Sequence, residues 1–81
     1  AEKILSVQFK STDQIIDLCF PCKNSDIFVH LEEKLYEQYP DYKETNNFFT
    51  CNGLLIKRFK SLEDNHIKNS DKIILNKEIL E

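Results

Sequence analysis

Asn52-Gly53 restricts what this chain can fold into more than any other pair of residues in it. A two-residue hairpin turn needs positive φ at both of its central positions, which Asn tolerates and Gly adopts freely. Phe48 to Cys51 on one side and Leu54 to Ile56 on the other supply apolar flanks, so the pair predicts a β-hairpin. Gly53 is the only glycine among 81 residues. Beyond the hairpin, Leu62 and Ile67 stand alone in a polar, turn-rich segment, which marks them as anchors beneath a surface loop. Ile73 and Leu75 then lie in a last strand.

The first half reads in the same way. Leu5, Val7 and Phe9 alternate with Ser6, Gln8 and Lys10, the period of a half-buried strand. Ser11-Thr12-Asp13-Gln14 suits a turn, and a second alternation puts Ile16, Leu18 and Phe20 on one face, with Pro21 expected to end it. Asn24, Ser25 and Asp26 offer N-cap chemistry for a helix. Phe28, Leu31, Leu35 and Tyr39 form its apolar stripe, while Glu32, Glu33, Lys34 and Glu37 fall on the remaining faces. Pro40 stops the helix, and residues 42 to 47 form a polar connection. The order is strand, strand, helix, strand, short strand, loop, strand. It predicts an α+β domain in which one helix covers one face of a sheet and leaves the other to solvent.

Composition bounds the function. The length allows one domain, and residues 1–81 are read as a single unit cut from a longer protein, in keeping with the lack of methionine. A net charge of -3 argues against nucleic acid as a partner. No apolar run approaches the ~20 residues of a membrane span. Three cysteines, Cys19, Cys22 and Cys51, fit a reducing intracellular compartment, cytoplasmic or nuclear, better than a disulfide scaffold.

Over residues 3–76 this arrangement resembles the ubiquitin-like β-grasp family, most specifically in the spacing from Gly53 through Ile56, Leu62 and Ile67 to Ile73 and Leu75. The resemblance implies a mixed β-sheet packed on one α-helix (ββαββ). Its implied core is Leu5, Val7, Phe9, Ile16, Leu18, Phe20, Phe28, Leu31, Leu35, Phe49, Cys51, Ile56, Leu62, Ile67, Ile73 and Leu75. Two departures bear on function. Conjugated members of the family end in Gly-Gly, whereas this chain ends Asn76-Lys77-Glu78-Ile79-Leu80-Glu81, which implies a non-conjugating type. The isoleucine and valine at the centre of ubiquitin's binding patch are matched here by Thr50 and Asn76.

By strand alternation Phe48 and Ile74 point outward beside Thr50, and Leu54 and Leu55 adjoin them at the hairpin. These residues with Asn76 form a candidate partner-binding patch. The plainer alternative has Leu55 and Phe59 tucked into a minor core. Cys19-x-x-Cys22 lacks the helix start that a redox motif needs, and nothing pairs it with Cys51, His30 or His66 into zinc knuckles. Lys57-Arg58-Phe59-Lys60 reads as a solvated hairpin, and no residue set supports catalysis, a metal or another cofactor. The expected function is a non-catalytic interaction module of the ubiquitin pathway, monomeric as an isolated domain. Its partner would be a ubiquitin-pathway receptor, a segregase or a neighbouring domain of its own chain. A Ras-binding-type or PB1-type association domain, with Lys10 as a pairing cation, is the alternative.

Overall fold

A computed structural model of the protein describes residues 2–77. Strands β1 (Ile4–Ser11), β2 (Asp17–Lys23), β3 (Asn47–Cys51), β4 (Leu54–Leu55) and β5 (Lys72–Lys77) form one sheet in the order β2-β1-β5-β3-β4. Helix α1 (Phe28–Gln38) lies between β2 and β3 in sequence, followed by a 3-10 turn at Pro40–Glu44. All neighbouring strands are antiparallel except β1 and β5, which are parallel with Phe9 opposite Ile73. The predicted order of elements is the observed one.

Alternation does the sorting. Val7 and Phe9 of β1, Phe49 and Cys51 of β3, and Ile73 and Leu75 of β5 are buried on one side of the sheet. There they meet Phe28, Leu31 and Leu35 of the helix, with Leu62 and Ile67 sealing the end, as their isolation in a polar segment predicts. Phe9 is the hub, with its ring 6.2 Å from Phe28, 6.1 Å from Phe49 and 5.4 Å from Phe20, centroid to centroid. The hairpin turn is as expected, with Asn52 at φ 53° and Gly53 at φ 79°.

Several expectations need correction. Pro21 does not end β2, which runs on to Lys23. The strand is an edge of the sheet, and Ser11 N–H donates to the Ile16 carbonyl at one end of the β1–β2 ladder while Asn24 N–H donates to that of Lys3 at the other. Even-numbered residues of β2 therefore aim their backbone at β1. Pro21 is odd-numbered and faces away, so the ladder loses no donor. Ile16 is buried but precedes the strand, and Leu5, Leu18 and Phe20 only flank the core, half-buried.

The helix begins at Phe28 without a side-chain cap. Its first N–H groups, on Phe28 and Val29, donate to the carbonyls of Lys60 and Arg58. Asp26 is otherwise engaged, its carboxylate accepting from Lys23 N–H at 2.9 Å.

Tyr42, expected in a polar connection, is buried. Its hydroxyl donates to Asp13, which also accepts from the Ser11 hydroxyl and from Ile15 N–H, and pairs with Lys77 at 3.0 Å. The Lys77 ammonium sits 4.7 Å from the centre of the Tyr42 ring. One carboxylate thus ties the β1–β2 turn to the 3-10 turn and to the end of β5. The hydrogen bonds from Ser11 and Tyr42 hold its carboxyl well below the usual aspartate range. A carboxyl depressed on folding stabilises the fold above its unfolded-state value and loses that contribution as pH falls toward its folded value. Stability should therefore decline from about pH 4 downward. In Asp13→Asn it should be lower at pH 7 and flatter across that range, so that melting curves of the two proteins converge in acid. Parallel pH profiles would refute the assignment.

Candidate functional site

The side of the sheet away from the helix has no covering element among the described residues. Strand register builds it row by row. Asp17, Lys10, Ile74, Thr50 and Leu55 lie side by side across β2, β1, β5, β3 and β4. Phe48 stands opposite Asn76 in the next row. Phe48 is 41% exposed and Leu55 66%, while Thr50, Ile74 and Asn76 are half-buried. The Asn76 side-chain amide donates to the Thr50 hydroxyl at 3.3 Å and to the Ile74 carbonyl at 3.2 Å. The two polar residues thus partly satisfy each other, between Phe48 and Leu55.

Five of the six residues read from the sequence as a patch, Phe48, Thr50, Leu55, Ile74 and Asn76, therefore share one face. Leu54 does not join the row. It pairs with Cys51, whose side chain is in the core, and is 63% exposed because β4 is a two-residue edge. With Leu55 it borders a groove closed by Lys57, Asp64, Asn65 and His66. The alternative in which Leu55 and Phe59 enter a minor core is overturned, since Phe59 is 79% exposed.

Behind the hairpin lies a polar cluster that sequence reading missed. Glu32, expected on a solvated helix face, is buried, and Arg58 of the expected solvated hairpin reaches it, Nε to Oε1, at 2.8 Å. The distance is that of an ion pair, yet Oε1 accepts no well-aligned hydrogen bond, so the attraction is mainly of charge. Arg58 also donates to the Asn47 carbonyl at 3.1 Å, and Asn47 donates to the Tyr36 hydroxyl at 3.0 Å. Burial pushes the Tyr36 phenol up to about 12, against the donated bond from Asn47 and with Glu32 adding to the rise. Nothing in the local sequence of either charge announces the pair, because its partners lie on separate elements.

The other candidate chemistries do not assemble. Cys19 and Cys22 are three apart on one strand and so fall on opposite faces, Cys19 exposed and Cys22 buried. Burial raises the Cys22 thiol; burial with Asp71 alongside pushes the Cys51 thiol up to about 11, and both move away from the reactive thiolate. Among the described residues no three His, Cys, Asp or Glu side chains gather as a metal site would require. Among the described residues no helix is long and apolar enough to cross a membrane. A cleft of about 240 Å³ between Ile15, Tyr39, Pro40 and Lys77 is walled by the Asp13 network, whose polar groups already have partners.

No family model matches the chain, and no curated protein matches it. Among solved structures it is similar to a de novo designed protein based on ubiquitin, with a TM-score of 0.79 at 22% identity over 96% of this chain and 93% of that one. The fold is a ubiquitin-like β-grasp. At that identity the likeness speaks for the fold alone, and the terminal residues 78–81 that bear on the non-conjugating reading lie outside the described part.

Removing Arg58 would leave the Glu32 carboxylate buried without its cation. Breaking a fully buried pair costs ~3–5 kcal/mol, and the partial exposure of Arg58 reduces that to about 2–3 kcal/mol. Arg58→Ala should thus lower Tm by roughly 10–20 °C. Glu32→Leu with Arg58→Leu should restore most of it. A double variant as unstable as the single one would show that packing, not the orphaned charge, sets the loss.

Proposed function

We propose that this domain is a non-catalytic ubiquitin-like interaction module of a larger intracellular protein, of non-conjugating type, which docks a protein partner or a neighbouring domain on its open sheet face. The observation that carries this reading is the run of Ile74, Thr50 and Leu55 across three strands, extended by Phe48, on the side of the sheet that the helix leaves bare. An aromatic and two aliphatic side chains around a short polar pair offer both the apolar centre and the orienting groups that interfaces use. Lys10 and Lys72 lie on the same face beside the apolar run, which gives it a cationic border in a chain of net charge -3.

The intracellular assignment rests on three free cysteines, one of them exposed. The non-catalytic one rests on side-chain chemistry: the Cys22 and Cys51 thiols are raised, Asp13 and Glu32 are engaged in pairs, and Tyr42 and Lys77 of the cleft are bonded to Asp13. Ubiquitin-pathway receptors and segregases are the partners to try first, because the fold is shared with ubiquitin while the face is not.

Phe48→Ala combined with Ile74→Ala tests the surface. Binding of a partner, measured by titration calorimetry, should weaken at least about 30-fold, the ~2 kcal/mol of an interface anchor. The melt should stay cooperative, since neither side chain belongs to the central core. Unchanged affinity in the double variant would remove this face from the function.

A further inference from the structure

The outer edge of β2 is the longest free edge of the sheet, seven residues against two for β4. Asp17, Cys19, Pro21 and Lys23 turn their backbone groups away from β1. At the far end the edge is closed from within: Lys23 N–H donates to the Asp26 carboxylate, and its carbonyl accepts from Asp26 N–H. Pro21 has a carbonyl but no donor. Among the described residues, the free groups of this edge are therefore the N–H of Asp17 and Cys19 and the carbonyls of Asp17, Cys19 and Pro21.

That pattern is complementary to itself. With a second β2 placed antiparallel and Cys19 facing its counterpart, each Cys19 N–H meets the other Cys19 carbonyl, and each Asp17 N–H meets the other Pro21 carbonyl. Every free donor is used, two from each copy; Pro21 has no N–H to return, so each Asp17 carbonyl at the ends of the pairing is left to solvent. Charge selects the same register. It sets Asp17 diagonally across from Lys23 of the second copy at both ends, within reach of a long side chain. Sliding by one pair to put Asp17 opposite Cys19 would instead bring the two Asp17 side chains together. Sliding the other way would call on Lys23 groups already bonded to Asp26.

A further observation comes from the helix side. Leu18 and Phe20 point toward the core yet remain half-buried, because β2 lies at the margin of the sheet and the core covers them only in part. A strand added there brings Leu18 opposite Phe20 of the second copy and covers both.

We propose that the β2 edge is a self-association surface, through which two copies of this chain join their sheets about a two-fold axis at Cys19. This surface is distinct from the open sheet face, and the proposal departs from the monomer expected of the sequence.

Sedimentation equilibrium over a wide concentration range, in reductant, tests it together with amide hydrogen exchange. The weight-average mass should rise toward twice that of the monomer with concentration, and the Asp17 and Cys19 amides should gain protection in step. Cys19→Pro deletes an outward donor and leaves the β1 ladder intact, as Pro21 does. Cys19→Lys sets like charges against each other at the axis on an exposed position, so it tests the same contact should the proline variant fail to fold. Both should stay at monomer mass at every concentration, whereas Cys19→Ser should associate like the parent. A monomeric parent throughout, or association that survives Cys19→Lys without protection of these amides, would overturn the proposal.

Discussion

Strands β1 and β5 come from opposite ends of the chain and lie side by side at the centre of the sheet, parallel, with Phe9 against Ile73 and Ser11 against Leu75. The rest of the sheet is laid out on either side of that pairing, β2 beyond β1 and β3 with β4 beyond β5. The pairing gathers Val7, Phe9, Ile73 and Leu75, all 1% exposed or less, into one apolar strip that Phe28 and Leu35 of the helix then cover. A parallel pair cannot be joined by a tight turn, so the intervening chain must cross over and bring its helix along. With a single helix, one side of the sheet is covered and the other is left open. The candidate binding face is thus a by-product of the topology before it is a property of Phe48, Thr50 or Ile74.

The irregular segments are placed by polar groups rather than by burial alone. Arg58 acts twice: its side chain pairs with Glu32 on the helix, and its backbone carbonyl accepts the N–H of Val29 at the start of that helix. The loop from 57 to 60 therefore supplies both the helix cap and the counter-charge, which leaves Phe59 exposed at its tip. Asp13 has the corresponding role at the other end of the sheet, where it collects Ser11, Tyr42 and Lys77. Both clusters join elements far apart in sequence at the margins of the core, where apolar contacts are fewest.

This division explains what could be read in advance. The strands, the helix stripe and the Asn52-Gly53 turn are written in periods of two and of three to four and in one local backbone requirement, and all are legible from neighbours in the chain. The anchors Leu62 and Ile67 were legible for the converse reason, as apolar residues without apolar neighbours. Glu32 was misread because a charge on an amphipathic helix is ordinarily solvated, and only an arginine 26 positions later makes its burial tolerable. Tyr42 was misread because its partner, Asp13, lies across the fold. Pro21 was read correctly as a missing donor and wrongly as a strand end, since its meaning depends on whether β2 is an edge. At the candidate site, alternation placed Phe48, Thr50, Ile74 and Asn76, while Leu54 escaped it because register at a two-residue strand is set by the turn.

The two surfaces lie at opposite margins of one sheet, and that spacing has a consequence. From β2 the patch is reached in three strand steps, through β1 and β5 to β3. In a dimer joined at β2 the two patches would be seven spacings apart, roughly 34 Å at ~4.8 Å per strand. Neighbouring strands turn by about 20° relative to each other, so the twist accumulated over that distance is about 140°. The patches would then face away from each other although the two-fold axis places them on formally the same side. A single flat partner could not cover both. Self-association at β2 would instead hold two separate partner molecules at a fixed separation, and would bring avidity only to partners that are themselves linked or repeated.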